Sequence, residues 1–287
     1  HYGFEALHDA LSSPNLGMRD RGRQSVYLNY DIRAAGRFSL TAGTRYELFR
    51  AWSGQLSPTL AAGYWISPHA KLRASVSRAY RVPSFTDLYY QDPANRGNPN
   101  LRPERAWGYE GGLDWNAGSK LLGDITVFHR RERDGIDFVR ANPSDIWQAR
   151  NFQRLQFTGI EARTRWQYRP AASAELSYTG LKGAQTELGG MQSAYAFNYP
   201  VHALVGTWQA VVPWNTVLRS RVGVTQRYER DSYLLWEVSA AWHGPRLRPF
   251  VQFANITNRS YEEIPGVPMP GRSVLGGLEI VVWSSTN

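Results

Sequence analysis

The sequence predicts an all-β protein, an antiparallel transmembrane β-barrel of which about 13–14 strands are present. Three observations predict it. Long segments alternate apolar with strongly polar residues, the connections between them are alternately short and long, and an aromatic residue stands beside nearly every short turn. The segments run to roughly 9–13 residues, about twice the length of a globular strand and about what a tilted strand needs to cross a bilayer.

Taken along the chain, residues 1–7 read as the end of one strand. In 25–33, Val26, Leu28, Tyr30 and Ile32 alternate with Ser25, Asn29 and Asp31, the period-two pattern of a strand with one apolar and one polar face. Trp107, Tyr109, Gly111, Leu113 and Trp115 share a face opposite Glu110, Gly112 and Asp114. In 156–168, Ile160, Ala162, Trp166 and Tyr168 oppose Glu161, Arg163, Arg165 and Gln167. Leu234, Trp236, Val238, Ala240 and Trp242 repeat the device, and 272–283 closes the chain with Val274, Leu278, Ile280 and Val282 on its apolar face. Short turns are expected at 34–36, 67–69, 116–119, 170–172, 213–215 and 244–246. Beside them stand Phe38, Trp65, Trp115, Trp166 with Tyr168, Trp214 and Trp242, as in the aromatic girdle at a membrane–water interface. The long connections, 81–104, 134–154, 187–199 and 262–271, fall at the opposite strand ends.

Composition removes competing classes. No cysteine is present, which excludes disulfide scaffolds, thiolate metal sites and thiol nucleophiles. Lys+Arg 33 against Asp+Glu 24 gives +9, but the cations are almost all arginines scattered along the chain, so a clustered nucleic-acid arm is not indicated. No apolar run approaches the roughly 18 residues of a spanning helix. The chain opens at His1 without a charged-then-apolar leader, so any signal peptide is expected to lie upstream or to have been removed. A soluble β-sandwich also alternates, but its strands are shorter and its polar face meets water without paired Glu and Arg. The six histidines, His1, His8, His69, His129, His202 and His243, lack metal-ligand spacing. Glu262 and Glu263, adjacent on a strand, would point oppositely and make a poor acid/base pair. Neither a catalytic residue, nor a metal, nor a cofactor is expected. The stretches Asn255-Ile256-Thr257 and Asn258-Arg259-Ser260 match glycosylation acceptors formally, but carboxamide turn chemistry accounts for them better.

Three stretches carry a resemblance. Arg81-Val82-Pro83-Ser84-Phe85-Thr86-Asp87-Leu88-Tyr89, followed by Gly97-Asn98-Pro99-Asn100-Leu101-Arg102-Pro103-Glu104, resembles the signature of TonB-dependent outer-membrane receptors. Asn255 through Glu262, then Gly266 and Met269-Pro270-Gly271-Arg272, resembles the end of the same family's barrel, and Gly159-Ile160-Glu161 matches one of its recurrent strand starts. The resemblance implies a barrel of about 22 strands around a plug. Residues 1–287 are then its C-terminal portion, with the plug and the TonB-engaging segment lying N-terminal. It further implies an outer-membrane location and import of a scarce, bulky nutrient, cobalamin or an iron–siderophore, bound at the long loops and taken up with TonB. Gly277, Ile280 and Val282 match the closing strand that the outer-membrane assembly machinery reads in this family. The alternative is a complete small barrel acting as a passive porin or surface adhesin.

Candidate site residues follow from position. Tyr89, Tyr90 and Trp147, on long connections, are candidates to stack on a ligand. Arg45, Glu47, Arg73, Glu110, Glu161, Arg163 and Arg165 fall on inward positions, where the resemblance implies contact with the plug and the passing substrate. Arg81 and Glu104 are expected to hold the loop between them, shaped by Pro83 and Pro99, which fix φ, and by Asn98, whose side chain caps turns.

Overall fold

The structure, a computed structural model, describes residues 1–34, 36–151, 154–185, 190–194, 199–264 and 266–281. Its strands in chain order are β1 Tyr2–Ser13, β2 Gly17–Ala34, β3 Phe38–Phe49, β4 Gln55–Ser67, β5 Ala70–Arg81, β6 Asn95–Arg96, β7 Glu104–Ala117, β8 Leu121–Arg133, β9 Ile136–Arg140 and β10 Trp147–Asn151. There follow β11 Arg154–Arg169, β12 Ala172–Gln185, β13 Gln192–Ser193, β14 Pro200–Val212, β15 Thr216–Arg227, β16 Tyr233–Trp242, β17 Leu247–Ala254, β18 Glu262–Ile264, β19 Val267–Pro268 and β20 Ser273–Ile280. A short α-helix, α1 (Phe85–Tyr89), lies between β5 and β6, and a 3-10 turn, Pro213–Asn215, joins β14 to β15. Fourteen strands form one sheet in the order β1-β2-β3-β4-β5-β7-β8-β11-β12-β14-β15-β16-β17-β20. The expected end of a strand at 1–7 is a full twelve-residue β1; five of the expected short turns fall at junctions of consecutive strands, and the turn at 34–36 includes a residue outside the described ones. Some boundaries differ from expectation: β2 runs to 18 residues and β11 to 16, longer than the expected strands. The last long connection spans 255–272 because β17 ends at Ala254, and β20 covers Ser273–Ile280. Val282, Trp283 and most of 187–199 lie outside the described residues. Among the described residues no helix is long and apolar enough to cross a membrane.

The chain divides into two compact units, one of residues 1–113, 126–159 and 182–197, the other of 114–125, 160–181 and 198–287. In the first, register explains how alternation becomes two faces. Tyr30, Ala42, Leu60 and Val76 lie in one row across β2, β3, β4 and β5, and the neighbouring row is Asp31, Thr41, Ala61 and Ser75. Side chains alternate across a sheet, so the first row belongs to one surface and the second to the other. The apolar surface is the uncovered one: Leu28 is 55% exposed and Tyr30 64%, whereas Ser25 is 4% and Glu47 3%. A water-soluble protein does not leave a continuous row such as Val26, Leu28, Tyr30 and Ile32 uncovered while burying Ser25 and Glu47. Here the burial is inverted, as it is where lipid is the solvent for one face.

The apolar core of this unit lies in its connections. Leu88, Leu101 and Ala149 are buried together, with Trp52, Tyr89, Ile136 and Phe138 packed against them. A second sheet, β13-β9-β10-β6, joins segments from three different connections. Short strands of two to five residues hold only because partners distant in sequence satisfy their backbone groups.

In the second unit, aromatic side chains mark the short turns. Trp214 stands 88% exposed in a tight turn at φ 63°, Trp166 and Tyr168 pack with ring centroids 5.4 Å apart, and the Trp208 indole donates to the Tyr168 hydroxyl at 2.7 Å. In the 255–272 connection, Asn255 is buried and left-handed at φ 47°. Its carboxamide accepts from Arg259 N at 2.9 Å and donates to the carbonyls of Arg259 (2.8 Å) and Pro270 (3.2 Å). Asn258 accepts from Arg272 N at 2.9 Å. These bonds are the turn chemistry expected of the two Asn positions. Farther along, Glu262 accepts from Gly266 N at 2.9 Å and from Arg230 at 3.2 Å, and these contacts, Gly266 first, hold its carboxyl below 4.5. Because the folded value is depressed, this contribution is present above about pH 4.5 and is lost as pH falls through the folded value. Proteolysis of the 255–272 connection is therefore expected to be constant from pH 8 to 5 and to accelerate below about 4.5, and Glu262→Gln is expected to remove that acid step.

Candidate functional site

The site is built in the first unit from the connection between β5 and β7. Pro83 leads into α1, whose first turn is closed by a capping box: the Asp87 N–H donates to the Ser84 hydroxyl at 3.0 Å and the Ser84 N–H to the Asp87 carboxylate at 2.9 Å. Arg81 reaches the same Asp87 carboxylate at 3.0 Å and also pairs closely with Glu104, so the start and end of the connection meet through one guanidinium. Glu104 accepts in addition from Ile136 N at 2.5 Å, which ties in the next long connection. Asn98 donates to the Ala149 carbonyl at 3.2 Å and accepts from Asn100 N at 3.0 Å, while Asn151 bonds both the N–H and the C=O of Arg102 at 2.9 Å. Pro83 is buried and Pro99 exposed beside Asn98. Two connections are thereby locked into one module.

The three aromatic candidates sit on this module, each held by partners of its own. Tyr89 packs on the apolar core and carries the Arg19 guanidinium 4.0 Å above its ring. Trp147 carries Arg140 at 4.3 Å and donates its backbone N–H to the Ala94 carbonyl at 2.8 Å. Tyr90 accepts from Gly97 N at 2.7 Å through its carbonyl, and its hydroxyl bonds Asp92. Burial works against ionisation of Asp92, but donors from the Asn95 side chain and from the Ala94 and Asn95 backbone outweigh it and hold the carboxyl below its ordinary value. Sequence reading missed the guanidinium clamps. Arg21 donates to the Pro83 carbonyl at 2.9 Å and lies over the rings of Phe85 (4.6 Å) and Trp52 (5.3 Å). The signal was present as Arg19, Arg21 and Arg23 at two-residue spacing, one cationic stripe on one face of β2.

The second group of candidates lines the polar face of the sheet. Glu47 is buried and gathers Arg23 (3.4 Å), Arg45 (3.3 Å) and, at close range, the Tyr80 hydroxyl; Arg45 also reaches Glu5 at 2.6 Å. Charges taken out of water need this density of partners. Arg73 bonds Thr126 and lines, with Lys71 and Glu110, a wall cavity of 290 Å³. In the second unit Glu161, Arg163 and Arg165 project from the same face of β11, all exposed, and Arg163 pairs with Asp124 at 3.1 Å. Trp65 departs from the expected girdle. Its register partner is Lys71, whose ammonium lies 4.3 Å above its ring, so it belongs to the polar face, while Phe38 and Tyr64 pair on the apolar one. On β20, Gly277 faces Phe250, and a Cβ there would stand 2.6 Å from that ring; Ile280 is exposed. Among the described residues no group of His, Asp and Glu could hold a metal ion.

An antiparallel sheet whose apolar side chains are uncovered, and whose only buried apolar cluster among the described residues lies in connecting loops, defines a β-barrel membrane protein. The family described as TonB dependent receptor-like, beta-barrel matches residues 4–258, and the chain belongs to it. Over 167 residues it is 34% identical to "Vitamin B12 transporter BtuB" of Photobacterium profundum, covering 55% of this chain and 26% of that protein. It is 26% identical over 160 residues to "Iron-regulated outer membrane virulence protein" of Vibrio cholerae serotype O1, covering 52% and 24%. Its fold matches the siderophore receptor PirA of Pseudomonas aeruginosa with a TM-score of 0.76 at 17% identity, covering 97% of this chain and 50% of that one. The matches thus span about a quarter of the length of the curated relatives and about half that of the solved receptor.

Proposed function

We propose that residues 1–287 are the C-terminal portion of the barrel of an outer-membrane nutrient receptor, and that the locked loop module is its outward binding rim. The cargo is a scarce, bulky nutrient of the kind named for the relatives, cobalamin or an iron–siderophore, with Tyr89, Tyr90 and Trp147 contributing contact surface. Uptake is coupled to TonB through a segment N-terminal to these residues. The polar-face groups Arg45, Glu47, Arg73, Glu110, Glu161, Arg163 and Arg165 face the plug and the moving cargo, and Gly277, Ile280 and Val282 present the closing strand to the assembly machinery. The observation that carries this reading is the module itself. A passive pore needs no apolar core in its loops, whereas a receptor must hold a binding surface still, and ordering is cheaper in advance than at the moment of binding.

The test is uptake of labelled cyanocobalamin and of a panel of ferric siderophores by cells producing the full-length protein as their sole receptor. Accumulation of one cargo that disappears on deletion of TonB is the expected result. Ion conductance through the purified protein in a planar bilayer, with no TonB-dependent uptake of any cargo, would replace this reading by the passive pore.

A further inference from the structure

We propose that the apolar face of the sheet carries a built site for the phosphorylated headgroup of a membrane lipid, at the loop end of β1, β2 and β3. The observation is a depression of 520 Å³ over three neighbouring strands. Its middle row is Leu7, Arg23 and Phe49, paired in register. Arg23 bonds Glu47 and Phe49 packs against Tyr80 on the polar face, so the opposite face of this row is bare backbone, and that backbone forms the floor. The rows on either side supply the walls. Below are Ala6, Gln24 and Leu48; above are His8, Gly22 and Arg50, the residue following Phe49. Gly22 keeps the centre open, since a Cβ added there would meet nothing within 4 Å.

Position along the strands assigns the chemistry. The row beneath the walls is Phe4, Val26 and Tyr46, all exposed, and the apolar band ends one row above it at Leu48. One pleat higher Gln24 stands between Ala6 and Leu48, and the next row carries His8, Gly22 and, after Phe49, Arg50. Among the described residues neither His8 nor Arg50 has an ion-pair partner, and no carboxylate lines the depression; Asp20, opposite Ala10, stands one outward row farther up. An unpaired guanidinium, an imidazole and a carboxamide around an open notch, directly above lipid-facing aromatics, match an anionic headgroup whose acyl chains run down past Phe4 and Tyr46. Arginine's fork suits phosphate oxygens in particular. The occupant is an outer-leaflet saccharolipid bearing phosphate, for which lipid A is the probe. The inference rests on the sheet's placement in a bilayer and not on the identity of the cargo.

The experiment is native mass spectrometry of the full-length protein, purified from outer membranes and placed in nanodiscs of zwitterionic lipid with added lipid A. The wild type is expected to retain one lipid A through delipidation. The double variant His8→Gln/Arg50→Gln is expected to lose it about tenfold more readily. Gly22→Leu, which keeps both side chains but fills the notch, is expected to behave in the same way. Heat-shifted gel mobility of each variant reports whether the barrel has formed. Retention by the two folded variants equal to wild type overturns the site, and displacement of lipid A by millimolar inorganic phosphate overturns its assignment to a lipid.

Discussion

Leu28→Arg is expected to destabilise the folded chain in a bilayer by about 2–4 kcal/mol, the cost of a cation on the lipid face near the midplane. Leu28 lies within the outward apolar set Val26, Leu28, Tyr30 and Ile32, paired with Tyr2 on one side and Thr44 on the other, and its side chain is more than half uncovered. Asn29→Arg places the same charge one residue along, on the face that carries Asp31 bonded to Thr41 at 2.6 Å, and is expected to cost far less. Folding into vesicles from urea, followed by tryptophan fluorescence, measures both. Equal losses at the two positions, or a larger loss at Asn29, would sink the transmembrane assignment. The contrast is informative because in a soluble sheet with the same exposure both arginines would meet water and neither would matter.

Alternation is a local signal, and for that reason the strands, the short turns and the two-faced sheet were legible. Val26, Leu28, Tyr30 and Ile32 name their own face, since period two fixes it without knowledge of any partner. Trp65 departs from the girdle because nearness to a turn does not fix parity: it lies two residues from Gly63, against which Lys71 and Ser39 pack, and so shares their polar face. The loop module was legible only in part. Asn98 and Pro83 announce a shaped connection, but β6 pairs with β10 some fifty residues away and β9 with β13 about as far, and no pattern within a two- to five-residue strand specifies such a partner. The clamps of Arg19 on Tyr89 and Arg21 on Pro83 have the same character, with separations near sixty residues or more. The Glu47 cluster lies between these cases. Arg45 and Glu47, two apart on β3, could be read as one polar face, but Tyr80 and Arg23 reach them only through the register of other strands.

Gly97→Val is expected to displace the binding rim while leaving the barrel in place. A Cβ on Gly97 would stand 2.8 Å from the Leu88 carbonyl carbon and the Tyr89 nitrogen and 2.9 Å from the Asp87 oxygen, all backbone atoms that no rotamer change can move aside. The chain passes this close because Gly97 N donates to the Tyr90 carbonyl at 2.7 Å and Asn98 N to the Asp87 carbonyl at 2.8 Å, bonds that seat the 97–98 segment directly against α1. A larger residue must push α1 away, and with it Leu88 from Leu101 and Ala149, which opens the core supporting Tyr89 and Tyr90. A displacement of this kind costs above about 2 kcal/mol, which corresponds to about 30-fold weaker cargo binding if the rim must re-form before it binds. Gly111→Ala is the control, since a Cβ there meets nothing within 4 Å. Cargo affinity of the purified full-length variants, with heat-shifted gel mobility reporting the barrel, separates rim from wall. Undiminished affinity in Gly97→Val with the barrel intact would mean that cargo is held elsewhere than on the α1 module, and the loop core would then serve only to brace the strand ends.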